Sequence, residues 1–301
     1  MSFSSSVKEE ICRELTNRKC CSVAECYGIL LYCNTFSSKE IRIITESREF
    51  AGVLPRLFRR AFGITFDVLP DVSEQRGKVT FVISDPAKLA RIFDTYGYGG
   101  SSLVAHHINL SVLEEDCCRV SFIKGAFLAG GSVTDPMKRY HLELVTDHYN
   151  VSREIFPMLL DMGFEPKSTS RGGNYIVYFK QSEAIADMLT TLGAPVSAMN
   201  VMSAKIEKEM TNSVNRKVNC DTANVLKSVD AAQRQLEAIR KIGQNSGIES
   251  LPERLRETAL LRMENPEYSM SELAAAHAPP ITKSCLNHRI RKIIEIAESI
   301  G

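Results

Sequence analysis

The segments FIKGAFLAGGSVTDP, residues 122–136, and ECYGILLYCNTF, residues 25–36, occupy equivalent places in an internal repeat. Laying one over the other aligns Gly28 with Gly125, 97 residues further along the chain. Each is an apolar stretch that leads toward a β-branched run, which is typical of a buried helix followed by a strand. The sequence therefore predicts a duplicated domain organised around two equivalent helices.

The remainder of each copy runs in the same order of strand, helix, strand and helix. The first copy continues with EIRIIT (40–45), FAGVLPRLFRRAFG (50–63), GKVTFVI (77–83) and PAKLARIFDTYG (86–97). The second continues with YHLELVT (140–146), NVSREIFPMLLDMGF (150–164), NYIVYFK (174–180) and SEAIADMLTTLGA (182–194). This alternation is an α+β pattern. We expect the two copies, about residues 22–100 and 119–197, to pack about a pseudo-twofold axis as one domain.

Composition limits the classes of protein that this chain can belong to. Its 301 residues are 44% apolar, enough for a real core. The 37 basic and 36 acidic residues give a net charge of +1, so any nucleic-acid footprint must be local. No apolar stretch approaches the ~20 residues that span a bilayer, and the N-terminus reads as an amphipathic helix rather than a signal peptide. These features predict a cytoplasmic protein without a membrane partner.

The nine cysteines are scattered and include the vicinal pairs Cys20-Cys21 and Cys117-Cys118. Vicinal cysteines rarely form a sound disulfide, which favours a reducing compartment. His106 and His107 precede the second pair by about a dozen residues and raise the question of a zinc site. The chain has no Cys-x-x-Cys chelate, however, so we expect unliganded thiols, and no metal or cofactor is predicted.

The segment around Gly125 resembles the signature helix of LAGLIDADG homing endonucleases, with Gly130, Gly131 and Ser132 at its end. In that family two such helices, one from each repeat, pack closely at the axis because small residues let the backbones approach. Gly125 and Ala129 suit that role. The resemblance therefore implies a LAGLIDADG-like domain.

The catalytic acids of that family are missing from this chain. Each nuclease helix ends in an acidic residue that holds a divalent metal, and the matching positions here are Cys33 and Gly130. The other acid of the motif is replaced by Leu31 and Leu128. Neither a thiol nor a glycine supplies the hard oxygen that magnesium requires, so no catalytic residue is predicted. Asp135 is the one stand-in that would allow a residual metal-dependent DNA endonuclease.

Past residue 200 the strand pattern stops, and residues 201–242 are predicted to be helical. Apolar residues with alternating spacings of four and three favour a helix packed on a neighbour over a coiled coil, at Val225, Val229, Ala232, Leu236 and Ile239. The polar segment NRKVNCDTAN, residues 215–224, either contacts a phosphate or caps a helix that begins near Asp221. The segment GQNSGIES, residues 243–250, is predicted to be a flexible linker.

The last fifty residues predict three helices. The first, LPERLRETALLRMEN (251–265), has a core stripe of Leu255, Ala259 and Met263. Ser269 and Glu272 are spaced as a capping box for a short second helix. Pro279-Pro280 forces a turn, and Thr282 is placed to cap the third helix, KSCLNHRIRKIIEIAES (283–299). A short helix, a tight turn and a basic helix form the layout of a helix-turn-helix.

The third helix has one apolar face and one polar face. The apolar face carries Leu286, Ile290, Ile293 and Ala297. The DNA-binding residues predicted on and beside the opposite face are Lys283, Ser284, Asn287, His288, Arg289, Arg291 and Lys292. Asn287 and Arg291 are predicted to read bases, because an amide pairs with adenine and a guanidinium with guanine. Phosphate contacts are predicted for Lys283, Arg289 and Lys292.

Four segments together make the whole chain similar to the WhiA family of Gram-positive bacteria: SFSSSVKEE, GAFLAGGSVTDPMKRYHLE, NRKVNCDTAN and TKSCLNHRIRKIIEIAE. The resemblance implies a degenerate LAGLIDADG domain (residues 1–200), a helical connector and linker (201–245) and an all-α helix-turn-helix domain (246–301). It also implies a nucleoid-associated regulator of transcription in cell division, chromosome segregation or sporulation, with double-stranded DNA as partner. By family analogy alone, a WhiB-type protein is a second partner. A cell-division scaffold in which DNA binding is secondary stays open.

Overall fold

A computed structural model describes residues 2–14, 18–70, 77–98 and 105–300. The chain divides into two compact units, Met1–Glu209 and Met210–Gly301, called here the N-terminal unit and the C-terminal unit. The domain boundaries predicted near residues 200 and 245 stay predictions. Within the described residues, no helix has both the length and the apolar character needed to cross a bilayer.

The first repeat of the N-terminal unit follows a short leading helix, α1 (Phe3–Arg13). Its elements are α2 (Lys19–Tyr32), β1 (Thr35–Phe36), β2 (Ile41–Thr45), α3 (Arg48–Phe62), β3 (Val79–Ile83) and α4 (Pro86–Thr95). The three strands form an antiparallel sheet in the order β1-β2-β3. Gly63 ends α3 with a φ of 69°, a left-handed conformation that favours glycine.

The second repeat has the same order of elements and an added strand. It comprises α5 (Asp116–Gly130), β4 (Gly131–Val133), β5 (Leu142–Thr146), α6 (Tyr149–Asp161), β6 (Lys167–Arg171), β7 (Asn174–Phe179) and α7 (Ser182–Thr191). The sheet order is β4-β5-β7-β6, with all neighbouring strands antiparallel. Strand β5 buries alternate residues, as its period of two predicts, whereas β7 buries the adjacent Ile176 and Val177.

Helices α2 and α5 cross at the centre of the N-terminal unit. A Cβ atom built on Gly28 would lie 2.0 Å from the carbonyl oxygen of Phe122, and one built on Gly125 would lie 2.0 Å from that of Glu25. The two contacts are equivalent under the 97-residue offset between the repeats. The predicted close approach at Gly125 is thus confirmed, and its pseudo-twofold mate is Gly28. Ala129, predicted to share this role, is only half-buried, because the crossing lies one turn earlier.

Helix α8 (Pro195–Asn245) continues from the N-terminal unit into the C-terminal unit. The C-terminal unit then adds α9 (Glu253–Glu264), α10 (Met270–Ala275) and α11 (Lys283–Ser299). Its core joins Ile239 and Ile242 of α8 to apolar residues of the three shorter helices. Residues 210–231 of α8 are exposed, including Val225 and Val229, which were predicted to pack on a neighbour.

The segment predicted to be a flexible linker differs from that expectation. Residues 243–245 are the last residues of α8, and Ile248–Ser250 form a 3₁₀ turn. Ile248 packs against the core of the C-terminal unit. An apolar contact therefore orders a stretch whose Gly, Ser and Asn content is typical of linkers, because burial outweighs composition here.

One residue of the predicted core stripe in α9 is misplaced. Leu255 and Ala259 are buried as predicted, but Met263 is 42% exposed. Its neighbour Arg262 is buried instead, at 2% exposure. A helical pattern of apolar residues predicts that an arginine lies at the surface. Burying its charge costs free energy unless hydrogen bonds compensate, and here the partners come from outside α9.

Candidate nucleic-acid interface and the remnant nuclease centre

Helix α11 is held by a cap at its start and by one apolar face. The Thr282 hydroxyl accepts a hydrogen bond from the backbone N–H of Cys285 at 3.2 Å, which confirms the predicted N-cap. The preceding helix α10 begins with the predicted capping box of Ser269 and Glu272. Leu286, Ile290, Ile293 and Ala297 are all buried, so the opposite face of α11 points away from the core.

Six of the seven predicted DNA-binding side chains lie on exposed positions of α11. These are Lys283, Ser284, Asn287, His288, Arg291 and Lys292. No aspartate or glutamate occurs in α11 before Glu295, so the exposed residues form a surface of cations, amide and imidazole. We call these six residues the α11 face. Such a surface attracts phosphate and presents donors to base edges.

Arg291 is 80% exposed and donates from Nε to Glu295 Oε1 at 3.0 Å. An exposed pair at this spacing is worth only about 0.3–0.5 kcal/mol. A bidentate contact of arginine with guanine is worth about 1–3 kcal/mol, so the guanine can outcompete Glu295. The intrahelical pair therefore leaves Arg291 available to a ligand.

Arg289 has a different environment from its neighbours. Its side chain is 15% exposed, and its Nη1 atom contacts Glu257 Oε2 at 3.4 Å. The same atom donates to Thr258 Oγ1 and to the carbonyl oxygen of Arg254, each at 3.3 Å. The predicted phosphate contact of Arg289 is thus not supported by its geometry, because the guanidinium is turned toward α9 and orients α11 against it.

A buried polar network that no sequence pattern predicted lies behind α11. Arg262 donates from Nε to Gln235 Oε1 at 2.9 Å and from Nη1 to the carbonyl oxygen of Tyr268 at 2.6 Å. Beside it, Thr258 Oγ1 lies 3.0 Å from Nε2 of the buried His277. Burial lowers the pKa of Arg262. The network joins α8, α9 and the turn before α10, and thereby fixes the frame that presents α11.

The positions that hold the catalytic acids in LAGLIDADG nucleases are closed in this chain. A Cβ on Gly130 would lie 2.5 Å from the carbonyl oxygen of Val145 and 3.1 Å from Cδ1 of Tyr32. Cys33 donates from Sγ to the carbonyl oxygens of Leu30 and Thr35 at 3.2 and 3.3 Å. Burial raises the pKa of the Cys33 thiol to about 12. Position 130 therefore lacks room for a side chain, and position 33 offers a protonated thiol. Neither position supplies an oxygen ligand for magnesium.

The remaining candidate for a metal ligand, Asp135, serves a turn. Its Oδ1 atom accepts a hydrogen bond from the backbone N–H of Met137 at 2.9 Å. Among the described residues, the group of side chains close enough together to hold a metal does not include Asp135. Its position gives the endonuclease alternative no support.

Lys8 lies beside the last turn of α5, near position 130, and was not predicted from the sequence to have a role. Its Nζ donates to the carbonyl oxygen of Leu128 at 3.0 Å, in the last turn of α5. Burial lowers the pKa of Lys8 to about 8. A cation at a helix C-terminus is electrostatically favourable. No local signal could identify this contact, because the two residues are 120 positions apart in the chain.

Four cysteines meet in an arrangement that their spacing in the sequence did not predict. The Sγ atoms of Cys20, Cys21, Cys117 and Cys118 all lie within 4.8 Å of one another. We call these four residues the thiol cluster. The zinc combination considered from the sequence is not assembled, since His107 Nδ1 lies 2.8 Å from Glu154 Oε1 and His106 Nε2 lies 2.8 Å from the carbonyl oxygen of Phe36.

The environment of His106 makes the N-terminal unit sensitive to acid. Its ring stacks on Phe36 at 4.8 Å and lies 4.3 Å from the ring of His148. Burial, with the nearby His148, lowers the pKa of His106 to about 4. Between that pH and the ordinary histidine pKa of about 6.5, the unfolded chain binds a proton that the folded chain does not. The contribution of His106 to stability is therefore present above pH 6.5 and is lost as pH falls toward 4.

We expect the His106→Gln variant to lose less stability than the native protein when the pH is lowered from 7.5 to 5. Glutamine keeps a donor for the Phe36 carbonyl but does not titrate. Thermal unfolding at both pH values measures the difference, and His288→Gln, at an exposed position, is the control. Equal pH dependence of the His106→Gln variant and the native protein would contradict the assignment.

The polar segment at residues 215–224 lies inside α8, and all of its residues are exposed. The interpretation of Asp221 as a helix start is wrong, because α8 runs without a break from Pro195 to Asn245. Arg216 and Lys217 remain exposed cations on this helix. The alternative, a phosphate contact, stays a prediction.

Two family models match consecutive parts of the chain. Residues 119–211 match the WhiA LAGLIDADG-like domain, and residues 214–297 match the WhiA C-terminal HTH domain. The second match includes the exposed part of α8 as well as α9 to α11. The predicted fold, a LAGLIDADG-like domain followed by a helix-turn-helix, is thereby confirmed.

Relatives match over the full length of the chain. The "Probable cell division protein WhiA" of Ruminiclostridium cellulolyticum is 38% identical over 311 residues, covering 100% of this chain and 98% of the relative. The protein of the same name from Heliobacterium modesticaldum is 37% identical over 313 residues, covering 100% and 97%. The crystal structure of full-length WhiA from Thermotoga maritima has a TM-score of 0.58 at 24% identity, covers 100% of this chain and 99% of that one, and shows the same fold.

Proposed function

The chain belongs to the WhiA family, and on that premise we propose that it binds double-stranded DNA through the α11 face and regulates transcription in cell division. The observation that carries the proposal is the exposure of cations, an amide and an imidazole on α11, with no carboxylate before Glu295. A helix with this surface, behind a capped short helix and a turn, suits the major groove of DNA. The proposal covers binding sites in promoters and elsewhere on the nucleoid, because both present the same major groove. It also includes sporulation genes among the targets.

Base reading falls to Asn287 and Arg291, which lie on one side of α11 one helical turn apart. Lys283 and Lys292 flank them and supply phosphate contacts, which add affinity without sequence choice. Arg289 is reassigned from phosphate contact to positioning, because it holds α11 against α9 through Glu257 and Thr258. The proposed interface thus separates residues that touch DNA from one that orients them.

The LAGLIDADG-like domain acts in this proposal without nuclease activity. Phosphodiester hydrolysis in that family needs a metal held by hard oxygen ligands. Position 33 holds a half-buried thiol whose pKa is raised, and position 130 holds a glycine with no space for a side chain. The domain therefore serves DNA docking or protein contact.

The decisive experiment maps genomic DNA fragments bound by the native protein and by the Asn287→Ala/Arg291→Ala double variant. Each side chain is expected to contribute about 1–3 kcal/mol, so specific binding weakens by about 30-fold or more. Fluorescence anisotropy on the most enriched fragment then measures the affinity at several salt concentrations. Lys283→Ala is expected to lower the slope of log K against log salt by about 1, because one phosphate contact is lost.

Arg240→Ala is the matched control, since Arg240 is an exposed arginine of the same unit that lies outside the α11 face. It is expected to leave the pattern of bound sites unchanged. If the double variant binds the same genomic sites with the same affinity as the native protein, the proposal is wrong. Full function in cells of a chain lacking residues 246–301 would favour a protein scaffold instead.

A further inference from the structure

The thiol cluster is built from two equivalent halves. Cys20 and Cys21 lie in the first turn of α2, and Cys117 and Cys118 lie in the first turn of α5. The offset of 97 residues that relates Gly28 to Gly125 also relates Cys20 to Cys117 and Cys21 to Cys118. The pseudo-twofold axis therefore brings two vicinal pairs to one point, where each half alone offers only two ligands.

The spacing of the sulfurs suits a single tetrahedral ion. Zn–S bonds of about 2.3 Å place the four sulfurs of a tetrahedral site about 3.8 Å apart. The Sγ atoms of Cys20 and Cys21 are 3.9 Å apart, and all four lie within 4.8 Å of one another. An iron–sulfur cluster would hold the thiolates farther apart, because several irons and sulfides lie between them.

Positive charge lies beside the thiol cluster. Helices α2 and α5 both begin at the cluster, and the N-terminus of a helix carries a partial positive charge. Arg18 Nη1 donates to Cys117 Sγ at 3.9 Å. Cys21 and Cys118 are buried while Cys20 is exposed, so the site is enclosed on one side and open to an entering ion on the other.

We propose that Cys20, Cys21, Cys117 and Cys118 bind one Zn²⁺ ion that links the N-terminal ends of α2 and α5. Four soft thiolates at this spacing select zinc over magnesium or calcium. The ion is structural: four protein ligands leave no open position for catalysis. Unliganded thiols were expected because the chain has no Cys-x-x-Cys motif. Two vicinal pairs, one from each repeat, supply the four ligands instead.

The test measures metal in the full chain, purified without a metal-affinity tag or chelator from cells grown with added zinc. We expect about one zinc per chain by mass spectrometry. The Cys21→Ser/Cys118→Ser variant is expected to lose about 90% of it, because two thiolates form a much weaker site. The matched control is Cys220→Ser/Cys285→Ser, which removes two exposed cysteines outside the cluster and is expected to keep the zinc.

A second measurement uses only the native protein, in case the variant does not fold. Stripping the zinc and adding Co²⁺ is expected to produce the thiolate charge-transfer and d–d absorption of a tetrahedral cobalt site. Zinc is also expected to protect four thiols from a thiol reagent. Three results would each overturn the proposal. The first is thiols that still react with the reagent in the presence of zinc, and the second is disulfides linking the two pairs in freshly purified protein. The third is bound iron with broad visible absorption.

Discussion

Replacing Gly125 by alanine is expected to lower the unfolding free energy of the N-terminal unit by about 3–5 kcal/mol. The added Cβ would lie 2.0 Å from the carbonyl oxygen of Glu25 and 3.0 Å from the backbone nitrogen of Ile29. Because both atoms belong to the backbone of α2, no side-chain rotation relieves the overlap. Helix α2 must move by about 1 Å, and the close-packed core around it must move with it.

Calorimetry and urea unfolding measure this effect. A loss of that size lowers the thermal midpoint of a unit of this length by about 10 °C or more. Gly52→Ala is the matched control, because Gly52 lies in α3 with no atom within 4 Å of an added Cβ. That change is expected to be neutral or to stabilise by up to about 1 kcal/mol through helix propensity. If both alanines behave alike, the close helix crossing is not what requires glycine.

Replacing Arg262 by alanine is expected to destabilise the C-terminal unit by about 3 kcal/mol, the second largest effect. The change leaves Gln235 Oε1 and the Tyr268 carbonyl oxygen without the donor that now satisfies them. It also leaves a cavity where a large side chain was buried. Arg262 joins α8 to α9 and to the turn before α10. We therefore expect the protection of backbone amides from hydrogen exchange to fall in all three elements together.

Hydrogen exchange in α8, α9 and the turn before α10, together with thermal unfolding, measures the loss. Arg254→Ala, at an exposed position of the same helix, is the control and is expected to stay within about 0.5 kcal/mol of the native protein. A double-mutant cycle with Gln235→Ala is expected to give a coupling of about 1 kcal/mol or more. Independent, additive losses in the cycle would refute the network, whatever the size of each.

Much of the fold follows from local patterns that a sequence displays directly. Helices α2 to α7, strands β2, β3, β5 and β7, and the caps at Ser269 and Thr282 depend on residues within a few positions of one another. Strands β1, β4 and β6 were not predicted. The buried face of α11 follows from a spacing of three and four residues. The helix crossing at Gly125 was implied by the resemblance to LAGLIDADG helices, in which small residues let the backbones approach.

The candidate DNA-binding site was predictable only in part. Helical geometry places Asn287 and Arg291 on one side of α11, away from the middle of its apolar face, and both are exposed. The same reasoning could not place Arg289, whose partners Glu257 and Thr258 lie more than thirty positions earlier. Whether a flanking arginine contacts DNA or its own protein depends on which helix packs beside it, which periodicity does not reveal.

The sequence by itself determined the duplication, the main helices and strands and the polar face of α11, because each depends on residue identity or short spacing. The loss of the nuclease acids followed from the sequence together with the family resemblance. Tertiary structure alone decided that Gly130 has no room for a side chain, that Arg262 is buried while Met263 is exposed, and that four cysteines meet. Those facts depend on atoms brought together from distant parts of the chain. Helix crossing and pseudo-twofold packing create such neighbours, and no local pattern encodes them.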